Sequence, residues 1–373
     1  MLPPLRDIAQ HFGVSFYLAQ QVVESLGARG VLHTVPRVGI FAGAGSRIVG
    51  EVAAEESEFS RSPKYFLMML GNVGARLEAK LKPCHVPMRV GFEDRIAQLG
   101  GAVLTMSQAQ AQRAGESGEL PLLHGVFDLA QLNIVPDLFG AQSLPMGRVR
   151  IGSVREAPAG CDLVSFDDEG GGWTATRHLL QHGHRDIAFL GLHTPGHEQS
   201  GLFWSREREV GWRRALKESG LDGAARAFHP PSPLTTESSR AIVRAARVAA
   251  SLLWRGAPTA TGVVAANANV ARGLFLALEA AGVPSSRWPS VVAFDDDPSL
   301  NPHVLSSLRL PWEELGRTAA DLLWERAQGR LPSRLPAAGE HRAIAMRLIP
   351  RLSGRPDWLR APGQSALELM AVG

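Results

Sequence analysis

Two adjacent glutamines near the start of the chain, Gln20 and Gln21, can each donate and accept in one plane. That is the pattern that reads an adenine edge bidentately in a major groove. Phe16 and Tyr17 lie one turn before them, and Ser15 is placed to cap a helix N-terminus. Arg37, in the turn Pro36-Arg37-Val38-Gly39, is where a guanidinium meets phosphate or the minor groove. Arg6, Arg29, Arg37 and Arg47 stand against Asp7 and Glu24, so this first segment is mildly basic. Enzyme chemistry is poorly represented. HExxH, P-loop and GxSxG patterns do not occur. His178 and His182 are spaced i, i+4, but with no third ligand near in sequence they read as a solvated helix face, and no metal site is expected. Gly170 to Ala175 can be forced onto GxGxxA, but without a persuasive acid downstream, so neither an enzyme nor a cofactor is expected. Asp167 and Asp168 read as a crossover or helix start, and His184 and Arg185 as a structural turn before a strand.

The elements that must position the glutamines are legible. Leu5, Ile8, Ala9 and Phe12 form one apolar helix face, opened by Pro3 and Pro4 and closed by Gly13. A second helix turns Ala19, Val22, Val23 and Leu26 inward and ends at Gly27 and Gly30. Val31–Val35 and Ile40–Ala42 read as two short strands. Helix, tight turn, helix and two-stranded wing make a winged helix-turn-helix over residues 1–43. Residues 44–63, Gly/Ser-rich at the ends with Glu55, Glu56 and Glu58 between, read as a linker.

Beyond the linker, short apolar runs alternate with amphipathic stretches of helical length: Tyr65–Leu70, Ala102–Met106, Leu122–Phe127, Leu163–Phe166, Ile187–Leu190, Gly262–Ala266 and Val291–Phe294. This alternation predicts parallel sheets with helices on their faces. Nearly 300 residues exceed one comfortable core, so two α/β lobes are expected. The chain has 373 residues, 45% of them apolar and 20% charged, which excludes a disordered or collagen-like chain. Cys84 and Cys161 are too few for a disulfide framework. No basic start with an apolar run behind it reads as a secretory signal, and no run reaches about 18 uncharged apolar residues. Cytoplasmic residence without a membrane partner is the expectation.

The head resembles the GntR family. Leu2-Pro3-Pro4-Leu5-Arg6 looks like its LPSxR. Asp7-Ile8-Ala9, Phe12-Gly13-Val14-Ser15, Leu26-Gly27-Ala28-Arg29-Gly30-Val31 and Gly39-Ile40-Phe41 follow in its order and spacing. That family normally has one more helix before this point, so the expected head has a start that is either truncated or mis-assigned.

The large region resembles the LacI/GalR regulators. Val164 to Gly171 looks like VSxDNxxGG, and His178-Leu179-Leu180 with Gly183 to Gly191 looks like HLxxxGHRxIAxxxG. Ser205 to Trp212 looks like SxxRxxGW, and Ala265-Ala266-Asn267 like AND. Val291 to Asp296 looks like VVGFDD, Leu305 to Pro311 like LTTVRxP, and Arg351-Leu352-Ser353 like the terminal RxS. This resemblance implies a two-lobed periplasmic-binding-protein-like domain with ligand in the cleft, homodimers, and operator binding controlled by a sugar-like effector. The pairing with a GntR-like head is similar to arabinose-repressor-type hybrid regulators. Carried over residue by residue, Arg208, Asn267 and Asp295 contact the effector and Trp312 stacks on it. Ala268 stands where an acid is usual.

The expected architecture is therefore a winged helix-turn-helix (1–43), a linker (44–63), a two-lobed effector and dimerisation domain (64–353) and a tail (354–373). Lobe 1 is placed at about 64–162 and 311–335, and lobe 2 at about 163–310 and 340–353. The expected function is a DNA-binding transcriptional regulator, a repressor, with operator DNA, a small effector and a second copy as partners. Two alternatives stand beside it: a solute-binding protein without DNA binding, and a regulator that no longer responds to an effector.

Overall fold

The computed structural model describes residues 7, 8, 10, 19, 20, 22, 23, 26, 32–35, 39–42, 64–70, 85–118, 120–129, 147–152, 160–196, 202–222, 225–234, 238–296, 305–331 and 339–351. The chain divides into two compact units, Met1–Ser62 and Pro63–Gly373.

In the first unit, residues 7, 8, 10, 19, 20, 22, 23 and 26 are helical. Ala19 and Val23 are buried and Leu26 half-buried, whereas Val22, expected inward, is 49% exposed. Val22 lies at the margin of the stripe that Ala19, Val23 and Leu26 form at i, i+4, i+7. The strands β1 (Leu32–Val35) and β2 (Gly39–Ala42) pair antiparallel, with Val35 opposite Gly39.

The second unit holds two six-stranded sheets. The first gathers β3 (Tyr65–Leu70), β4 (Ala102–Ser107), β5 (Leu123–Asp128), β6 (Gly147–Ile151), β7 (Asp162–Phe166) and β13 (His341–Ile344), in the order β13-β7-β6-β5-β3-β4. Every pairing in it is parallel. Its helices are α1 (His85–Gln98), α2 (Gln108–Glu116) and α7 (Trp312–Ala327). The second sheet gathers β8 (Ile187–Leu190), β9 (Arg226–Phe228), β10 (Gly262–Ala265), β11 (Ser290–Phe294), β12 (Ser306–Arg309) and β14 (Arg347–Ile349), in the order β14-β12-β11-β10-β8-β9. Only β14 runs antiparallel to its neighbour. Its helices are α3 (Asp168–Gln181), α4 (Phe203–Glu218), α5 (Ser239–Gly256) and α6 (Ala268–Ala280).

The apolar runs β8, β10 and β11 are buried along their whole length, as interior parallel strands covered on both faces require. From β8 the chain runs outward through α4 to the edge strand β9, then back through α5 to β10 on the other side of β8. Right-handed crossovers in opposite directions put α4 on one face and α5 and α6 on the other. The reversal falls between β8 and β10, and at such a switch point the strand C-termini leave a crevice for ligands.

The lobe boundaries need correcting. The expected break at 162/163 cuts β7, and the expected second-lobe segment 340–353 begins with β13, yet both strands belong to the first sheet. The reason lies in pairing: β7 is held by β6 on one side and β13 on the other, and its first residue, Asp162, forms a buried ion pair with Arg326 of α7. The crossings therefore fall at 167, at 310–311 and at 345–346. They are tied together where Asp167 N–H donates to the Ile344 carbonyl (2.8 Å) and where Trp312 meets Phe166 edge-on, ring centres 4.7 Å apart.

His178 also departs from expectation. It is buried, not on a solvated face. Its helix packs on the second sheet through that side, and burial, with the charges of His182 and His184, pushes its imidazole down to about 4. His184 takes the structural turn position, its Nδ1 3.0 Å from the Thr261 hydroxyl.

Candidate functional site

The C-terminal edge of the second sheet collects polar side chains from four segments. After β7, Asp167 caps α3 by accepting from Gly170 N–H (2.8 Å), and Asp168 starts the helix. After β10, Asn267 caps α6, its Oδ1 accepting from Val270 N–H (2.8 Å). After β11, the chain leaves through Asp295 and Asp296. Arg208 enters from α4.

Arg208 is the centre of this group. It is only 3% exposed, and a buried guanidinium is stable only when its N–H groups are matched. Its Nε donates to Asp168 (2.8 Å) and its Nη1 to the Ala266 carbonyl (2.5 Å). The guanidinium carbon lies 4.0 Å from the Phe294 ring centre and 4.8 Å from that of Trp204, within cation–π range. Nη2 makes no hydrogen bond among the described residues, so its two N–H groups remain available. Burial pushes the Asp168 carboxyl above its usual range; Arg208 opposes that shift, and the charges of Asp295 and Asp167 add to it. Asp295 is thus within electrostatic reach of Asp168.

The exit of β11 is strained. Asp295 (φ 83°) and Asp296 (φ 50°) both occupy the left-handed region, which costs a non-glycine residue roughly 1 kcal/mol or more. The surroundings hold them there. Asp295 N–H donates to the Leu308 carbonyl and Asp296 N–H to the Ser307 hydroxyl. The Asp296 carboxylate takes Arg309 and Arg351, both at 2.6 Å. Burial pushes Asp296 up, but these two arginines more than offset it and hold the carboxyl below its usual range.

Helix packing explains the glycines. A Cβ on Gly172 would fall on the Arg208 carbonyl, and one on Gly211 on the Glu169 carbonyl. The close crossing of α3 and α4 at these residues presses Arg208 against Asp168. Gly172 therefore serves helix–helix contact, Gly171 leaves room for Phe294 and Met346, and Gly170 lies against the capping carboxylate of Asp167, so the loose GxGxxA match needs no dinucleotide.

The residues carried over from the family resemblance thus divide. Arg208, Asn267 and Asp295 come together. Trp312 stands on the other lobe, half-buried at the start of α7; its contact with Phe166, two residues before Asp168, places it at the junction of the lobes. On the first lobe the strand ends carry buried Asp128 with Arg148 (2.6 Å) and Arg150 (3.7 Å). Asp168, Trp204 and Phe294 escaped sequence reasoning. Trp204 is one helical turn before Arg208, so i, i+4 spacing could have found it. Of the residues assigned to DNA, Gln20 is exposed on a helical stretch. Arg6, Ser15, Phe16, Tyr17, Gln21 and Arg37 lie outside the described residues.

Carboxylates that accept, a guanidinium edge and an amide that donate, and two aromatic rings suit a polar molecule rich in hydroxyls. Among the described residues no helix is long and apolar enough to cross a membrane.

Residues 176–353 match the family of periplasmic binding protein-like domains. The chain is 29% identical over 177 residues to the HTH-type transcriptional regulator GntR of Pseudomonas aeruginosa, 47% of this chain and 48% of that protein. It is 30% identical over 170 residues to the HTH-type transcriptional regulator GalS of Salmonella typhimurium, 45% of this chain and 46% of that one. A stretch of 71 residues is 45% identical to the lactose operon repressor of Rhizobium radiobacter, 18% of this chain and 62% of the repressor. The chain spans about half the length of the first two relatives. Among solved structures, the transcriptional regulator CelR–cellobiose complex superposes with a TM-score of 0.55 at 18% identity, covering 94% of this chain and 99% of that one. The lac repressor dimer bound to operator and the anti-inducer ONPF gives 0.53 at 18% identity, covering 78% and 94%. The fold is thus the periplasmic-binding-protein-like α/β fold.

Proposed function

We propose that this protein is a transcriptional regulator, a repressor, whose affinity for operator DNA is set by a small polyhydroxylated effector held between the two lobes. The observation that carries the reading is the Arg208 cluster: a buried guanidinium, fixed by Asp168 and the Ala266 carbonyl at the sheet's switch point, with Nη2 left to donate. The relatives' names, regulators and repressors, support the DNA half of the reading, as do the helical residues and the β1–β2 hairpin of the first unit. Those names point away from an enzyme.

In this mechanism Asp295 and Asp168 accept from effector hydroxyls, Asn267 Nδ2 and Arg208 Nη2 donate, and Trp312 covers the ligand from the other lobe. The effector binds best when the lobes close, and linkage passes that preference to DNA. A winged helix-turn-helix head reads the operator through Gln20 and Gln21 and grips backbone through Arg6 and Arg37, as a GntR-like head would. A cytoplasmic homodimer places two heads on two half-sites.

The test is thermal unfolding of the whole chain against a panel of mono- and disaccharides. A sugar at 100 times its Kd stabilises by about 2.7 kcal/mol, a rise of roughly 4 °C for a unit of this size. Such a rise in the wild type, absent from Asn267→Ser, supports the site. An equal rise in both would move the ligand elsewhere.

A further inference from the structure

Beyond the Arg208 cluster, three side chains meet on the outer part of the same strand edge: His193 after β8, Glu209 of α4 and His229 after β9. Both imidazoles turn Nε2 toward a single carboxylate oxygen: His193 Nε2 is 3.2 Å and His229 Nε2 3.1 Å from Glu209 Oε2. The two rings are 4.2 Å apart, centre to centre. Neighbouring parallel strands explain why, since Leu190 of β8 stands opposite Phe228 of β9, so the residues that follow leave the sheet together.

We propose that His193, Glu209 and His229 form a binding site for one divalent late first-row transition-metal ion, of which Zn2+ is the type. Zinc bonds of about 2.0–2.1 Å to imidazole nitrogen and carboxylate oxygen at tetrahedral angles require ligand atoms roughly 3.3 Å apart. The two N···O separations already lie within about 0.2 Å of that edge. Two neutral imidazoles and one carboxylate suit zinc, nickel or copper rather than magnesium or calcium, which demand more oxygen. Two of the three ligands, His193 and Glu209, are also held from behind. His193 Nδ1 is 3.2 Å from the Ser205 hydroxyl, a partner that orients the ring. Ser205 is itself fixed by accepting from Leu192 N–H (3.0 Å). Arg213 binds the other carboxylate oxygen, Oε1 (2.7 Å), and leaves Oε2 to the metal. The three residues line a recess of about 380 Å³, space for a water or a ligand group in the fourth position. The site rests on this geometry alone and stands whether or not the protein binds DNA.

The test uses the untagged full-length chain, stripped with EDTA and titrated with ZnCl2. The expected result is one Zn2+ per chain by metal analysis and calorimetry. His193→Gln, His229→Gln and Glu209→Gln should each weaken binding at least 100-fold, while His178→Gln binds as the wild type does. Co2+ in place of Zn2+ should give the visible bands of a four- or five-coordinate ion in the wild type and none in His229→Gln. Far-UV circular dichroism of each variant guards against misfolding, and any single folded variant of the three suffices for the comparison. Failure of the wild type to take up Zn2+ at 100 µM overturns the proposal. So does uptake that survives the substitutions or disappears in His178→Gln.

Discussion

Replacing Arg208 by methionine keeps the bulk of the side chain and removes its charge. The loss can be worked from its partners. The Asp168 carboxylate, only 14% exposed, would lose its cation, and the Ala266 carbonyl would lose its donor. Breaking a buried ion pair from one side costs about 3–5 kcal/mol. Asp168 already sits above the usual carboxylate range because of burial, so it can relieve part of that cost by taking a proton. A destabilisation of about 3 kcal/mol follows. Asp168→Asn is milder, about 1–2 kcal/mol, because the guanidinium keeps the Ala266 carbonyl and the Phe294 face. Once Arg208 is gone, the second change should cost little, so the double variant gives a coupling of about 1–2 kcal/mol. Urea unfolding of the four proteins, followed by tryptophan fluorescence at pH 7, measures it. A coupling below about 0.5 kcal/mol, as for an exposed pair, would refute the claim that this ion pair organises the site.

Gly211→Ala would drive a methyl into the Glu169 carbonyl, separate α3 from α4 and cost about 1–3 kcal/mol; an unchanged urea midpoint would contradict the close crossing. His178 titrates near 6.5 when unfolded and about 4 when folded, so between those values the unfolded chain holds the extra proton and stability falls as pH falls. About 2 kcal/mol should be lost from pH 7 to pH 5 through this group, and His178→Gln should lose correspondingly less over the same interval in urea unfolding. Asn267→Ala should cost about 1 kcal/mol through loss of the α6 cap, whereas Asn267→Ser keeps a capping oxygen and should unfold close to the wild-type midpoint.

Much of the fold was legible because interior parallel strands announce themselves. β8, β10 and β11 are short apolar runs without charge, and each lies within a residue of where the pattern put it. Several strands escaped because their sequence answers to a partner distant in the chain or because they are very short. In β6, Gly-Arg-Val-Arg-Ile places arginines at alternate positions because Asp128 waits on β5, a contact no window of sequence contains. β9 and β14 are three-residue edge strands. The lobe boundary was misplaced for a related reason: β7 looks like the start of the next lobe until β13, more than 170 residues later, pairs with it.

The candidate site was half legible. The Arg208, Asn267 and Asp295 positions rest on motif resemblance, and the structure supplies what a motif does not. It shows that Asp168 neutralises the arginine and that Phe294 lies beneath it. His193, Glu209 and His229 carried no local signal at all, since 36 residues separate the first from the last and only the β8–β9 register unites them.

The central claim is that a crevice sensing a small polar molecule governs a DNA-reading head. Selection of duplexes from a random library by the full-length protein, followed by titration of an enriched duplex with and without the sugars that raise the unfolding midpoint, tests it most directly. The account predicts enrichment of a duplex with two related half-sites and a change in its Kd of roughly 5- to 150-fold on adding the effector. Absence of any enriched sequence, or an affinity that no stabilising sugar changes, would contradict it.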